Sequence, residues 1–184
     1  MKKIFWNTSA YDKSSEMCRC IGILDAFEID LNSVRKRAST ETFAQRLNLA
    51  THLFSKKNLI TTIGFNVLAH RLTGLGAYSA TFFNYFTISN GTNTPSISDT
   101  AASFLADGTT FTKQIESVEA FDATGLMQQW NCFLASTDNT VSSIKKFAMV
   151  NASSPSVLFN NVKFTAISKD STKELYFRYR LTFL

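Results

Sequence analysis

Histidine is the side chain best suited to general acid–base chemistry near neutral pH, and this chain has two, His52 and His70. Both fall inside stretches with helical periodicity, which favours packing or surface roles on a helix. A nucleophile would require a serine or cysteine to meet one of them, and no GxSxG motif is present to expose a serine on a sharp turn. The sequence therefore predicts no catalytic residues.

The cysteine spacing gives little support for a metal site. Cys18 and Cys20 are closer together than the CxxC spacing with which two thiolates share a tetrahedral zinc. In an extended segment their side chains would point to one face, so a site completed by a histidine or by Cys132 stays open. The interpretation we favour is ordinary thiols in a reducing compartment, with no bound metal.

Paired carboxylates are the next candidate chemistry, because Glu116, Glu119 and Asp122 are close enough in sequence to suggest a glycosidase. On a strand over 111–121, however, Glu116 and Glu119 would face opposite sides, which favours surface acids. Residues 74–76, Gly-Leu-Gly, lack the third glycine of a dinucleotide-binding loop and follow a helical pattern, so they are interpreted as a helix end. No cofactor is predicted.

The net charge of +5 lies mostly in the first third of the chain. Residues 1–60 carry 10 Lys and Arg against 6 Asp and Glu, whereas residues 61–184 carry 9 against 8. The densest cluster, Arg35-Lys36-Arg37, could meet phosphates, but no RNP-like aromatic run or helix-turn-helix spacing accompanies it. A solvated turn is the favoured interpretation, and we expect no nucleic-acid partner.

Apolar runs in this chain are short. The one near the start, Ile4-Phe5-Trp6, ends at Asn7, whereas a signal peptide needs roughly 7–15 apolar residues. No stretch approaches the roughly 18 uninterrupted apolar residues of a membrane span. We therefore expect no membrane span, and a protein that is made and kept in a cytoplasm.

The residue pattern divides the chain into three segments. They are an N-terminal arm at 1–38, a helical segment at 39–76 and a β-sandwich domain at 77–184. Within the arm, residues 27–32 alternate apolar and polar, which is typical of a half-buried strand. Because the arm is predicted to leave the domain, we expect deletion of residues 1–38 to leave a soluble folded domain.

Two amphipathic helices are predicted in the middle segment. The first, 40–57, has one apolar stripe made of Phe43, Leu47, Ala50 and Phe54. The second, 61–73, has a stripe made of Phe65, Leu68 and Leu72. Glycines at 74 and 76 end the second helix, because glycine adopts the left-handed C-terminal conformation without penalty.

Beyond residue 80 the helical period gives way to short alternating segments separated by turns. Strands are predicted over 82–88, 111–121, 128–135, 144–150, 157–167 and 175–184. In the last, every second residue from Leu175 to Phe183 is apolar. This pattern, with 17 phenylalanines, predicts a mainly β fold: an antiparallel β-sandwich, jelly-roll or immunoglobulin-like, with one or two N-terminal helices and an extended arm.

One stretch carries short motifs. Residues 88–95 read ISNGTNTP, and Asp99-Thr100-Ala101 follows. These resemble "LGTGTxxP" and "DTxL" in a loose family of small structural proteins of tailed bacteriophages, with the pattern TNxGxxxxAxxL…Y(I/V)ALGTGTxxPxxxDTxL. The chain departs from that pattern at Ser89-Asn90, where the family usually has Leu-Gly, and carries about 55 residues before the matching region.

The resemblance implies a β-sandwich component of a virion, assembled in the host cytoplasm, without catalysis or cofactor. Its partners would be other copies of itself and neighbouring head, neck or tail proteins. An arm that adds a strand to the next subunit gains affinity through main-chain hydrogen bonds. The candidate contact residues are Trp6, Phe27, Ile29, Leu31, Arg35, Lys36 and Arg37. The alternative is a carbohydrate-binding adhesin or receptor-binding module of a phage fibre, since sandwiches often host lectins.

Overall fold

The computed structural model describes residues 20–31, 45, 50–77, 81–120, 127–138 and 141–183. Its strands are β1 (Cys20–Asp30), β2 (Thr51–Ile60), β3 (Tyr85–Ser89), β4 (Thr110–Gln114), β5 (Ser117–Ala120), β6 (Met127–Leu134), β7 (Ser143–Val150), β8 (Asn160–Ser168) and β9 (Lys173–Phe183). Its helices are α1 (Thr62–Thr73) and α2 (Ala101–Ala106). Neither of these helices is long and apolar enough to cross a membrane.

The strands form one antiparallel sheet in the order β4-β3-β7-β8-β2-β1-β9-β6-β5. The prediction of a mainly β, antiparallel fold is therefore confirmed. The longest ladder joins β1 to β9, from Cys20 opposite Phe183 to Asp30 opposite Lys173. Along β9 the side chains of Leu175, Phe177, Tyr179 and Leu181 all enter the main core, as the alternation of the last strand predicts.

The prediction of a separate arm at 1–38 is wrong for residues 20–30, which form β1. Residues 20–30 form a strand between β2 and β9, inside the sheet. The strand predicted over 27–32 overlaps the end of β1 at residues 27–30, while Leu31 lies in a turn and residue 32 is outside the described residues. Leu24 and Ala26 lie fully within the main core, so this part of the chain packs against its own domain.

The helix predicted over 40–57 is wrong for residues 51–57, which belong to β2. Phe54 lies opposite Ala26 of β1 and turns inward against the core. Pairing with β1 outweighs the helical spacing of the apolar residues, because tertiary contacts override a local pattern. Gln45 is helical, and residues 40–44 and 46–49 lie outside the described residues.

The second predicted helix is confirmed as α1. The Thr61 hydroxyl accepts a hydrogen bond from the Gly64 amide and caps its first turn. Gly74 ends it with a φ of 68°, a left-handed conformation that glycine adopts without a side-chain clash. Phe65 and Leu68 pack against the main core from one side of this helix.

The sheet curls so that distant strands face each other across one core. The ring of Phe147 on β7 lies 5.3 Å from that of Phe177 on β9, although three strands separate β7 from β9 in the sheet. The ring of Phe164 on β8 is 6.3 Å from that of Phe177. We divide the sheet into two halves, β4-β3-β7-β8 and β2-β1-β9-β6-β5. A single cluster of apolar side chains fills the space between these two halves.

Among the described residues, strand pairing joins the two halves on one side of the sheet, and on the other side the chain itself crosses between them. On one side β2 and β8 pair through Leu59 with Asn161 and Ile60 with Asn160. On the other side the strand predicted over 111–121 is split into β4 and β5, which lie at opposite ends of the strand order. The bend between them contains the buried Ile115, so the chain passes from one half of the sheet to the other at this corner.

Candidate interaction surface

The candidate contact residues fall into three groups. Phe27 and Ile29 are buried beside Tyr176 in a small apolar cluster of the chain itself, so they are not available to a neighbour. Leu31 is exposed at the end of β1. Trp6, Arg35, Lys36 and Arg37 lie outside the described residues.

His52, Ser55 and Asp25 lie together, a grouping that the sequence did not predict. His52 Nε2 is 3.1 Å from Ser55 Oγ, and the Ser55 hydroxyl donates to Asp25 Oδ1 at 2.5 Å. In a catalytic triad the imidazole lies between serine and carboxylate and takes the serine proton. Here the serine proton already points to the carboxylate, so the histidine is not placed to remove it. His52 also lies on β2 and not on a helix.

Asp25 instead joins three strands. Its side chain is 1% exposed, and Oδ2 accepts from Arg178 Nε at 3.2 Å and from Arg180 Nη2 at 2.8 Å. Both arginines lie on β9, and Ser55 lies on β2. A carboxylate this deeply buried is tolerated only when its charge is compensated and hydrogen-bonded. The cluster therefore stabilises the middle of the sheet.

The loop of residues 92–98, which we call the 92–98 loop, is exposed and is held by several hydrogen bonds. It is anchored by Asp107, whose carboxylate accepts hydrogen bonds from the backbone amides of Thr92 and Asn93, each at 3.1 Å. The same carboxylate lies 2.7 Å from the Nζ of Lys146, and these side chains are only 9% and 3% exposed. One nearly buried ion pair therefore fixes the loop to β7.

Burial alone would raise the pKa of Asp107, because it penalises the charged form. Hydrogen bonds from Lys146 and from the Thr92 and Asn93 amides, with the attraction of the Lys146 charge, outweigh burial and lower that pKa below its ordinary value. The Lys146 ammonium also lies 5.0 Å from the ring centroid of Phe104 on α2. The carboxylate therefore stays ionised beneath the loop.

The motif residues hold the two ends of the same loop. At its start, the Gly91 amide donates to the Ser89 hydroxyl at 2.9 Å. At its end, Asp99 Oδ2 accepts from the Ser96 amide at 2.9 Å and from Asn161 Nδ2 at 2.6 Å. Thr100 then caps α2 in a capping box with Ser103.

These contacts leave a row of short polar side chains facing solvent. The exposed polar members are Thr92, Asn93, Thr94, Ser96 and Ser98, and the apolar Ile97 is exposed among them. Hydroxyl and amide groups both donate and accept hydrogen bonds, and a loop that is already ordered loses little entropy when it binds. The 92–98 loop therefore presents ordered hydrogen-bonding groups to solvent.

The described residues contain no group of three or more His, Cys, Asp or Glu side chains able to hold a metal. Burial, and then the nearby negative charge of Glu116, raise the pKa of the Cys132 thiol well above its usual range, which disfavours the thiolate. Cys20 is half-buried, and Cys18 lies outside the described residues.

The remaining predicted residues have structural positions. Glu116 lies in the bend before β5 and Glu119 on β5, both exposed, while Asp122 is outside the described residues. Trp130 packs against the core with its ring 5.7 Å from that of Tyr179. His70 lies in the last turn of α1.

The two buried ion clusters were not predicted, although the sequence carries a signal for each of them. Asp25 alternates with the apolar Ile23 and Phe27, and Lys146 alternates with Ala148 and Val150. A charged residue in an apolar series requires an opposite charge nearby. What the sequence could not supply is the partner, since Asp107 and Arg178 are distant along the chain.

Comparison of the chain with known protein families, with curated proteins and with solved structures gave no match.

Proposed function

We propose that this chain is a non-catalytic structural protein of a tailed-bacteriophage particle, assembled in the host cytoplasm with copies of itself and with neighbouring head, neck or tail proteins. The observation that carries the proposal is the 92–98 loop. Two positions that resemble the phage family take part in holding this loop: the Gly91 amide donates to Ser89 at its start, and Asp99 accepts from the Ser96 amide at its end.

In finer detail, we regard the curled sheet as a two-layer sandwich. The thin link between β2 and β8, two residue pairs long, supports this division. So does the contact between Phe147 and Phe177, which come from opposite layers in this description. A rigid two-layer body suits a protein that must contact several neighbours without changing shape.

Particle composition tests the function directly. Mass spectrometry of purified particles should detect the chain in a fixed ratio to the major head protein, and particles made without its gene should be incomplete by electron microscopy. Replacing Thr92 and Asn93 by Ala should reduce incorporation while leaving the circular dichroism spectrum unchanged. Complete, infectious particles that lack the chain would reject the proposal.

A carbohydrate-binding adhesin remains the second candidate, favoured by the same exposed hydroxyl and amide groups of the 92–98 loop. The two functions differ in what the loop variant loses. An adhesin variant would enter particles normally and fail to adsorb to host cells, and the isolated chain would bind defined glycans on an array. A structural protein shows no glycan binding.

The non-catalytic part of the proposal has its own test. His52 lies on β2 beside a serine that already donates to Asp25, and His70 lies on α1. Replacing both histidines by Ala should leave every activity of the particle intact. Loss of one activity with normal assembly would show that a histidine carries out chemistry.

A further inference from the structure

Four strand edges have no strand neighbour among the described residues. Two are the terminal strands of the order, β4 and β5, and two are the stretches 51–57 of β2 and 162–168 of β8, because β2 meets β8 only at Leu59 and Ile60. Two of these edges, β5 and residues 51–57 of β2, which pair with β1 on one side, belong together. We call them the β5 edge (117–120) and the β2 edge (51–57). Both bound the same run of strands, β2-β1-β9-β6-β5.

Each edge carries an exposed apolar side chain. Leu53 on the β2 edge is 38% exposed and Val118 on the β5 edge is 51% exposed. On the β2 edge only Phe54 turns inward. Its ring lies 4.8 Å from that of Phe164 on β8 and covers the core where β2 and β8 are no longer paired. A long exposed edge of this kind offers its backbone N–H and C=O groups to another strand.

The charges of the two edges are opposite. The β2 edge carries Lys56 and Lys57, while Glu119 lies on the β5 edge and Glu116 just before it, all exposed. Like charges directly across a strand pair are destabilising and opposite charges are stabilising. Pairing of β2 with β2 would bring lysines together, whereas pairing of β5 with β2 brings glutamate to lysine.

Strand direction fixes the geometry of that contact. β2 and β5 run in the same direction, because an even number of antiparallel steps separates them in the sheet. Copies related by a rotation axis, as in a ring, keep their strand directions relative to the axis. The contact between β5 of one copy and β2 of the next is therefore parallel.

We propose that the β5 edge of one copy pairs in parallel with the β2 edge of the next, so that one sheet continues from copy to copy. Within one copy, Lys57 and Glu119 lie in the same cross-strand row and on the same face, because Lys57 pairs with Ile23, Ile23 with Arg180, Arg180 with Gln129 and Gln129 with Glu119. A contact that continues this row from copy to copy places Glu119 beside Lys57. Such a head-to-tail contact closes into a ring or grows as a filament. The inference rests on the proposed function, because it names the surface used for self-assembly.

Charge exchange in the full-length chain tests the pairing. Sedimentation velocity at increasing concentration and low salt should show assembly beyond a dimer. Lys57→Glu should weaken self-association about five- to tenfold, because it replaces an attraction by a repulsion. Glu119→Lys should do the same, and the double variant K57E/E119K should recover association. Lys145→Glu, the same charge change on β7, is the matched control and should have no effect.

A second pair of variants covers the case in which Glu119→Lys disturbs the fold, since Glu119 accepts from Asn131 at 2.9 Å. Val118→Lys alters only the exposed apolar side chain of the β5 edge and should weaken association. In the variant with both Lys57→Cys and Glu119→Cys, oxidation should give a ladder of dimers, trimers and longer species that neither single variant gives.

The possible outcomes separate a failure of this inference from a failure of the proposed function. A chain that stays monomeric at every concentration would mean that the lysines protect the β2 edge from pairing. A dimer that Lys57→Glu changes and Glu119→Lys does not would mean a symmetric contact. Particles that contain the chain, together with a monomer in solution, would overturn this inference alone. Ring formation by a chain absent from particles would overturn the proposed function alone.

Discussion

Lys146 and Asp25 are charged side chains placed where neighbouring positions are apolar, and both are almost fully buried. Each is compensated by residues far away in sequence: Lys146 by Asp107, and Asp25 by Arg178 and Arg180. Removing one partner of a buried pair leaves an uncompensated charge, which costs more than the pair contributes. Substitutions that remove one partner from either cluster should therefore be strongly destabilising.

Replacing Lys146 by Met should destabilise the fold by about 3 kcal/mol, because the Asp107 carboxylate would remain buried without a cation. The measurement is urea unfolding followed by fluorescence. Lys145→Met is the matched control, since this neighbouring lysine is half-buried and no ion pair within the described residues involves it. It should change stability by less than about 0.5 kcal/mol. Equal effects of the two substitutions would contradict the role assigned to the ion pair.

Acid should weaken the fold through Asp107. Its pKa is lower in the folded chain than the 3.8 of the unfolded one, so folding favours the ionised form. That contribution is complete well above 3.8 and is lost as the pH falls through 3.8 towards the folded value. The difference in unfolding free energy between the natural chain and Asp107→Asn should therefore shrink between about pH 6 and about pH 3. A difference that does not change with pH would contradict this.

Some elements could be predicted from neighbouring residues alone, whereas others, such as β2 and the 92–98 loop, depend on contacts with distant parts of the chain. The apolar stripe of α1 and the glycine that ends it, Gly74, are local signals and predicted that helix correctly. β2 shows the opposite case, because its apolar spacing fits a helix while its position is set by pairing with β1. The 92–98 loop falls between the strands predicted over 82–88 and 111–121, but its anchor, Lys146, comes from a strand well beyond it in sequence.

Gly91 tests how tightly the loop is built. An added Cβ would overlap the backbone carbonyl oxygen of Asp107, so the loop must shift. Gly91→Ala should cost about 1–3 kcal/mol, and the Thr92 and Asn93 amides should exchange hydrogen faster by NMR. Gly74→Ala is the control, because it meets no atom and suffers only from its φ of 68°, about 1 kcal/mol. Unchanged exchange at both amides in Gly91→Ala would mean that the loop is not clamped there.

The strands beyond residue 80 were the most predictable part of the fold, because alternation at period two depends only on neighbours. Even there, the strand predicted over 111–121 became β4 and β5, since the bend at Ile115 carries the chain from one half of the sheet to the other. The anchor of the 92–98 loop could not be predicted, because partners such as Asp107 and Lys146 are set by the packing of distant strands.

For the whole molecule, the position of β1 reverses one expectation. Deletion of residues 1–38 was expected to leave a folded domain, but it removes the strand between β2 and β9 together with Leu24 of the core. We now expect the shortened chain to lose its cooperative thermal transition and its β-type circular dichroism spectrum. Leu24→Ala, which keeps the strand, should unfold cooperatively at a lower temperature. A shortened chain that melts cooperatively would contradict the central position of β1.

The ladder between β1 and β9 has a consequence for biosynthesis. The two strands are about 140 residues apart, so at about 5–20 residues per second the ribosome delivers the second one roughly 7–28 s after the first. During that interval β1 presents an apolar strand whose longest partner does not yet exist. Newly made chains should therefore depend on chaperones until translation is nearly finished, and messages cut short before β9 should yield products that proteases remove.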